Sequence, residues 1–249
     1  MIIIKNNKEI DLMRSAGKIV AETLLLVEEK VRPGITTAEI DRIAEEFITK
    51  HGAKPSFKGL YGFPASLCIS VNEQVVHGIP GGYVLKDGDI ISVDCGAHIN
   101  GFHGDAARTF GVGNISEEAK KLINVTRESF FRGIEYAKVG NRLTDISHGI
   151  QSYVEASGFS VVRDFVGHGI GRVVHEDPEV PNYGQPGRGP KLVEGMALAI
   201  EPMVNVGSYK VKTLKDNWTV VTSDGSLSAH YENTIVILPD GPEILTLIK

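Results

Sequence analysis

Two stretches of this chain run through apolar residues and stop at a carboxylate. Residues 85–94 read Leu-Lys-Asp-Gly-Asp-Ile-Ile-Ser-Val-Asp, and residues 192–201 read Leu-Val-Glu-Gly-Met-Ala-Leu-Ala-Ile-Glu. The Leu, the first acid, the Gly and the final acid recur at an offset of 107 (201 − 94). A carboxylate inside an apolar strand is costly unless it is paired, protonated or bound to metal. Asp94 and Glu201, at matching positions of two copies, therefore point to one shared site on a pseudo-two-fold axis. Residues 31–52 recur as 137–158 at an offset of 106, with Gly34 meeting Gly140, Ile40 meeting Ile146 and Gly52 meeting Gly158. His77-Gly78-Ile79 returns as His168-Gly169-Ile170, and Asp105 has Glu232 as its expected counterpart. Each half then offers one histidine and two acids.

The chemistry of the first pair follows from a turn. Asn100-Gly101 is a strong hairpin signal. With those two residues as the turn, Asp94 faces Ala107 and shares a sheet face with Asp105, so the acids are diagonal neighbours roughly 7–8 Å apart at the backbone. Carboxylates that close repel unless a proton or a cation lies between them. The pair alone is compatible with a shared proton, a salt bridge or metal. Adding Glu201, Glu232 and His168 favours two divalent ions about 3.5–4 Å apart, bridged by carboxylates. An oxygen-rich set with one imidazole suits Mn, Fe, Co or Zn over a cysteine-based structural zinc. Gly167-His168-Gly169-Ile170-Gly171 lacks the full dinucleotide pattern and any P-loop lysine. Its glycines are expected to let backbone approach a ligand closely. His175 is expected to contact metal-bound groups or substrate. His51, His98, His103, His148 and His230 carry no functional expectation, although His230 shares strand parity with Glu232.

The elements that must position these groups read as helix, helix, strands in each half. Apolar residues at helical spacing mark 8–30, and Thr36 with Glu39 forms a capping box for a helix to about Lys50. Ser116 caps a third helix to about Tyr136, and a fourth spans Leu143 to Ala156. Strands are expected at 65–76, 89–110, 196–206, 218–222 and 227–238, with the seam near 111–113 and a rim loop from Pro178 to Pro190. The chain has 249 residues, 23% charged and 42% apolar, and a formal net charge of −5 without a basic block. That is ordinary for a folded soluble protein and gives no sign of a nucleic-acid ligand. The N-terminal apolar run is too short for a signal peptide or membrane span. Two cysteines, Cys68 and Cys95, form no CxxC and suit a reducing cytoplasm.

These residues resemble the methionine aminopeptidases, nearest the bacterial type I enzymes. The resemblance covers essentially the whole chain and rests on Cys68 through Pro80, Val93-Asp94, Gly101 through Asp105, Gly167 through Glu176, Glu201-Pro202 and Ser226 through Thr234. It implies an α/β (α+β) pita-bread fold, two pseudo-two-fold-related halves around a central antiparallel sheet. Residues 1–249 would form a single catalytic domain with halves of about 1–112 and 113–249. It implies Asp94, Asp105, His168, Glu201 and Glu232 as ligands of two divalent ions (Co, Mn, Fe or Zn), with Asp105 and Glu232 bridging. Glu201, His77 and His175 would be catalytic. His77 and His175 would also contact substrate, beside a methionine pocket of Phe57, Leu60, Phe63, Cys68 and Trp218. The implied reaction removes the initiator methionine of nascent proteins when the next residue is small, by attack of a water or hydroxide bridging the metals. It also implies a cytoplasmic monomer, in transient contact with the ribosome, that binds neither specific nucleic acid nor membrane. Val174 and Leu60 depart from residues common in the family and leave the pocket's size open.

Two other readings compete. An X-Pro peptidase on the same fold would carry an N-terminal domain for which this chain has no candidate. A non-catalytic binding module would be expected to have lost ligand residues, whereas all five and both histidines are present.

Overall fold

A computed structural model describes residues 1–248. Four helices, α1 (Asn7–Lys30), α2 (Thr37–Lys50), α3 (Glu117–Ile134) and α4 (Leu143–Ala156), accompany fifteen strands among the described residues. In the first half these are β1 (Lys54–Pro55), β2 (Leu67–Val71), β3 (Gln74–Val76), β4 (Ile90–Ile99) and β5 (Phe102–Gly111). The second half holds β6 (Ser160–Val161), β7 (Gly167–Gly169), β8 (Glu176–Val180), β9 (Ala197–Ile200), β10 (Met203–Asn205), β11 (Val211–Thr213), β12 (Val220–Thr222), β13 (Ser228–His230), β14 (Asn233–Leu238) and β15 (Gly241–Ile244).

The helices start where local chemistry dictates. Thr36 accepts from the Glu39 N–H while the Glu39 carboxylate accepts from the Thr36 N–H, and Asn6 with Glu9 does the same for α1. The Ser116 side chain caps α3. Each half then packs its helix pair on its own strands. In the first, Val20, Leu24, Ile40 and Ile48 meet Leu67, Ile69, Ile91 and Val93. In the second, Leu122, Phe130, Ile146 and Ile150 meet Leu198, Ile200, Val204 and Ile235. Each such fully buried aliphatic contributes about 1.5–3 kcal/mol.

The duplication is repeated in hydrogen bonds. Gly34 donates to Leu85 O and Gly140 to Leu192 O, while Leu85 donates to Ile35 O and Leu192 to Asn141 O. Gly34 and Gly140 both take positive φ, 91° and 100°, which glycine adopts freely. α2 and α4 are each 14 residues long, at the offset of 106 (143 − 37).

The strand register corrects one expected correspondence. Asp94 pairs with Ala107 and Gly96 with Asp105. In the second half Ile200 pairs with Asn233 and Met203 with His230, so the same register places Glu201 opposite Glu232. The counterpart of Asp105 is therefore His230, and that of Glu232 is Ala107. The first strand repeats at 107 (201 − 94) and the second at 125 (232 − 107), because the second hairpin is longer. The added chain forms β11 and β12, and β12 pairs with β3. The His-Gly-Ile repeat is corrected likewise. His168 pairs with Ala199 as Ser70 pairs with Ser92, so His168 stands where the first half has Ser70, and His77 lies in the loop after β3.

The expected strands 196–206 and 227–238 are each interrupted at the site. Pro202, with no N–H to donate, follows Glu201, and β9 gives way to β10 there. β13 ends at His230 and β14 begins at Asn233. Across the pseudo-axis, Glu232 donates to Ala107 O (3.0 Å) and Ala107 to Glu232 O (3.3 Å). Thr109 Oγ1 accepts from the His230 N–H and donates to His230 O, and Thr234 Oγ1 does the same for Asp105.

Candidate metal centre and substrate cleft

The β4–β5 hairpin carries the first two acids. Its turn residues Asn100 and Gly101 have φ of 54° and 81°, the type I′ pattern. Asp94 and Asp105 project from one face, with Cys68 of β2 opposite Asp94. Glu201 and Glu232 reach the same space from the strand breaks.

His168 enters from β7. Its Nδ1 lies 2.9 Å from Gly169 O, and a carbonyl can only accept, so the proton is on Nδ1. Nε2 then presents a lone pair 3.6 Å from Glu201 Oε1 and 3.9 Å from Asp105 Oδ2. A hydrogen bond that fixes the tautomer in this way is typical of ligating histidines. With bonds near 2.1 Å, two ligands of one ion lie up to about 4 Å apart. Donor atoms of Asp105, His168 and Glu232 all fall within 4.8 Å of one another. Asp94 joins this group beside Asp105, and Glu201 joins it through His168.

Burial makes the cluster electrostatically demanding. Asp94 Oδ1, Asp105 Oδ1 and Glu232 Oε1 are buried with no hydrogen-bond partner. Burial pushes Asp94 from an ordinary 3.8 to about 7. Burial, followed by the other carboxylates, drives Asp105 and Glu232 well above the carboxylate range, and Glu201 is raised by burial and then Asp94. His168 is lowered to about 4 by burial and then by His175. Four acids that resist ionising together, around a neutral imidazole with a free lone pair, fit divalent cations.

Two more histidines line the same cavity, which measures about 540 Å³. His77, at φ 58°, sets its ring edge-on to Phe165 at 5.5 Å, and burial lowers it to about 4. The His175 ring is 4.5 Å from that of His168, and Tyr61 stacks on it at 6.0 Å. One wall is apolar: Phe57, Phe63, Cys68 and Val174 are buried together, with Leu60 and Trp218 partly buried against them. Phe63 and Trp218 meet edge to face at 5.1 Å.

Two expectations change here. Gly167 and Gly169 serve close backbone packing rather than ligand approach. A Cβ on Gly167 would lie 2.3 Å from Ala199 O, and one on Gly169 would lie 2.1 Å from Asp177 O. His230, left without a role, belongs to the cluster. Its Nε2 is buried and unpartnered, 3.8 Å from Glu201 Oε2 and 3.9 Å from Glu232 Oε2. Its strand parity with Glu232 was the available signal. Burial, then His77 and Arg108, lowers it to about 3.

Residues 11–239 match metallopeptidase family M24. The chain belongs to that family and has its pita-bread fold. It is 80% identical to the methionine aminopeptidase of Clostridium perfringens over 249 residues, covering 100% of both chains. It is 59% identical to methionine aminopeptidase 1 of Bacillus subtilis, again over 100% of both. The crystal structure of the Thermotoga maritima methionine aminopeptidase superimposes with a TM-score of 0.98 at 50% identity, covering 100% of both chains. Within the family, then, the chain groups with the methionine aminopeptidases.

Proposed function

We propose that the buried cluster holds two divalent ions, Co, Mn, Fe or Zn, and performs metal-dependent removal of the N-terminal methionine from nascent peptides whose second residue is small. The observation that carries this reading is the unpartnered buried carboxylate oxygens of Asp94, Asp105 and Glu232 in a cluster where donor atoms of Asp105, His168 and Glu232 lie within 4.8 Å of one another. Asp94, Asp105, His168, Glu201 and Glu232 would hold the ions. Bound there, the ions would activate a water and polarise the scissile carbonyl. Glu201, whose carboxylate lies between His168 and His230, takes the proton of the attacking water and returns it to the leaving amine. His175 donates to the carbonyl oxygen as charge develops on it. His77 hydrogen-bonds the scissile amide nitrogen. Phe57, Leu60, Phe63, Cys68 and Trp218 receive the methionine side chain, in keeping with the apolar wall.

The 249 residues act as one catalytic unit in this reading, a monomer of the cytoplasm with transient ribosome contact. Cys68 and Cys95 are both unpaired and buried, which suits a reducing compartment. Among the described residues no helix is long and apolar enough to cross a membrane. The test is hydrolysis of Met-Ala-Ser by metal-stripped protein titrated with Mn, Co, Fe and Zn, beside an Asp105→Ala control. Metal-dependent methionine release that the substitution abolishes is expected; no release with any metal refutes the reading.

A further inference from the structure

Lys5 and Glu176 form a buried ion pair beside the cavity that Glu176 helps line, with side chains only 2% and 3% exposed. Both carboxylate oxygens of Glu176 are engaged: Oε2 accepts from Lys5 Nζ, and Oε1 accepts from the Arg172 N–H at 2.8 Å. The second bond closes residues 172–176 into a loop that contains His175. Lys5 itself is fixed at both ends. Its N–H donates to Gly195 O at 2.8 Å, and Ile4 bridges to Met196, at the start of the segment leading through β9 to Glu201. Its Nζ also donates to Ile3 O at 3.0 Å.

The loop is built around this pair. A Cβ on Gly171 would lie 2.5 Å from Lys5 Cε and 2.7 Å from Glu176 Oε1, so the space of a side chain at 171 is filled by the ion pair. Gly171 O accepts from the His103 N–H, tying the loop to the β4–β5 hairpin. Taking two charges out of water is costly, and a buried pair is poor value as a stabiliser beside apolar groups of the same volume. Here it joins the segment bearing Glu201 to the loop bearing His175, two groups that must act on one carbonyl.

We infer that Lys5 is a positioning residue, which through Glu176 fixes the His175 imidazole against the reacting carbonyl. The inference rests on the role given above to His175. A displacement of about 1 Å in a reacting group costs up to about 100-fold in rate. Lys5→Met keeps the length of the stem and removes the charge.

The test is a double-mutant cycle in kcat for Met-Ala-Ser at saturating Mn, with Mn affinity measured by calorimetry in each variant. Lys5→Met should lower kcat by about 10- to 100-fold while KM and Mn affinity stay at wild-type values. The Lys5→Met/His175→Ala double variant should be no slower than His175→Ala alone, because positioning has nothing left to act on. If Lys5→Met does not fold, Glu176→Gln keeps the Oε1 acceptor and carries the same cycle. Wild-type kcat in the Lys5 or Glu176 variant overturns the inference, as does a multiplicative loss in the double variant, and both leave the metal-centre reading standing. Wild-type kcat in His175→Ala overturns the role of His175 and this inference with it.

Discussion

Stripped of metal, the protein should lose stability as pH rises from 6.5 to 8. Asp105, Glu201 and Glu232 have folded-state pKa values raised well above their ordinary range by burial. A group whose folded pKa exceeds its unfolded value holds its proton more tightly in the fold. Its stabilisation is complete below the unfolded pKa and is lost as pH climbs toward the folded one. The buried imidazoles act oppositely: His77 and His168 are lowered to about 4 and His230 to about 3. Their contribution rises with pH and is complete once pH passes the unfolded value of about 6.5. Above pH 6.5 that opposition fades, and the carboxylates come to dominate the slope. Each proton still held by the cluster costs about 1.4 kcal/mol for every pH unit, or roughly 2 kcal/mol between 6.5 and 8. For a chain of this length that is about 4–8 °C in melting temperature per proton. Circular-dichroism melts in chelator at pH 6.5 and 8.0, repeated with saturating Mn, would read it. The slope should vanish with metal, because the ions hold the carboxylates ionised. A metal-free melting temperature that is flat or rising over this range would show that the acids are already ionised in the fold and would refute the argument.

Two further outcomes follow from packing. Gly169→Ala sets a Cβ against the Asp177 backbone on the adjoining strand, and overpacking against backbone costs at least the usual 1–3 kcal/mol. It should lower the melting temperature by several degrees and weaken Mn binding by displacing His168; a wild-type melt and Mn affinity would contradict that. Trp218→Ala removes the edge-to-face partner of Phe63 and half-opens the apolar wall. About 1 kcal/mol of lost burial corresponds to roughly a fivefold higher KM for Met-Ala-Ser with kcat little changed. An unchanged KM would remove Trp218 from the pocket.

The parts of this architecture that could be read from sequence are those that backbone geometry ties to residue type. Gly34, Gly52, Gly140 and Gly158 all sit at positive φ, so glycine recurs and the repeat of α2 as α4 is visible. The hairpin through Asn100-Gly101 is legible for the same reason, and its turn fixes the face that Asp94 and Asp105 share. Legibility failed where the repeat changed length. A single offset of about 107 carries Asp94 to Glu201 but cannot carry the returning strand, where the longer second hairpin shifts the match to 125 (232 − 107). Aligning acid with acid then paired Asp105 with Glu232 and left His230 unassigned. β7 was missed because His168 sits between two glycines, and glycine there reports tight interstrand packing that no pattern of apolar alternation reveals.

The threonine seam has a consequence for the history of the chain. Thr109 and Thr234 each satisfy the backbone of the opposite half, with the Ala107–Glu232 exchange at the centre. Neither half finishes its own hydrogen bonding there. Separated at the seam, the first half would present β5 as an open edge, with Asp94 and Asp105 facing water. The partner best shaped to close that edge is a second copy of itself, turned about the same axis. A homodimer of half-chains would gather four aspartates into one chamber, and gene fusion would free the two sides to diverge. The present asymmetry, with Ala107 facing Glu232 and Asp105 answering His230, reads as the product of that freedom.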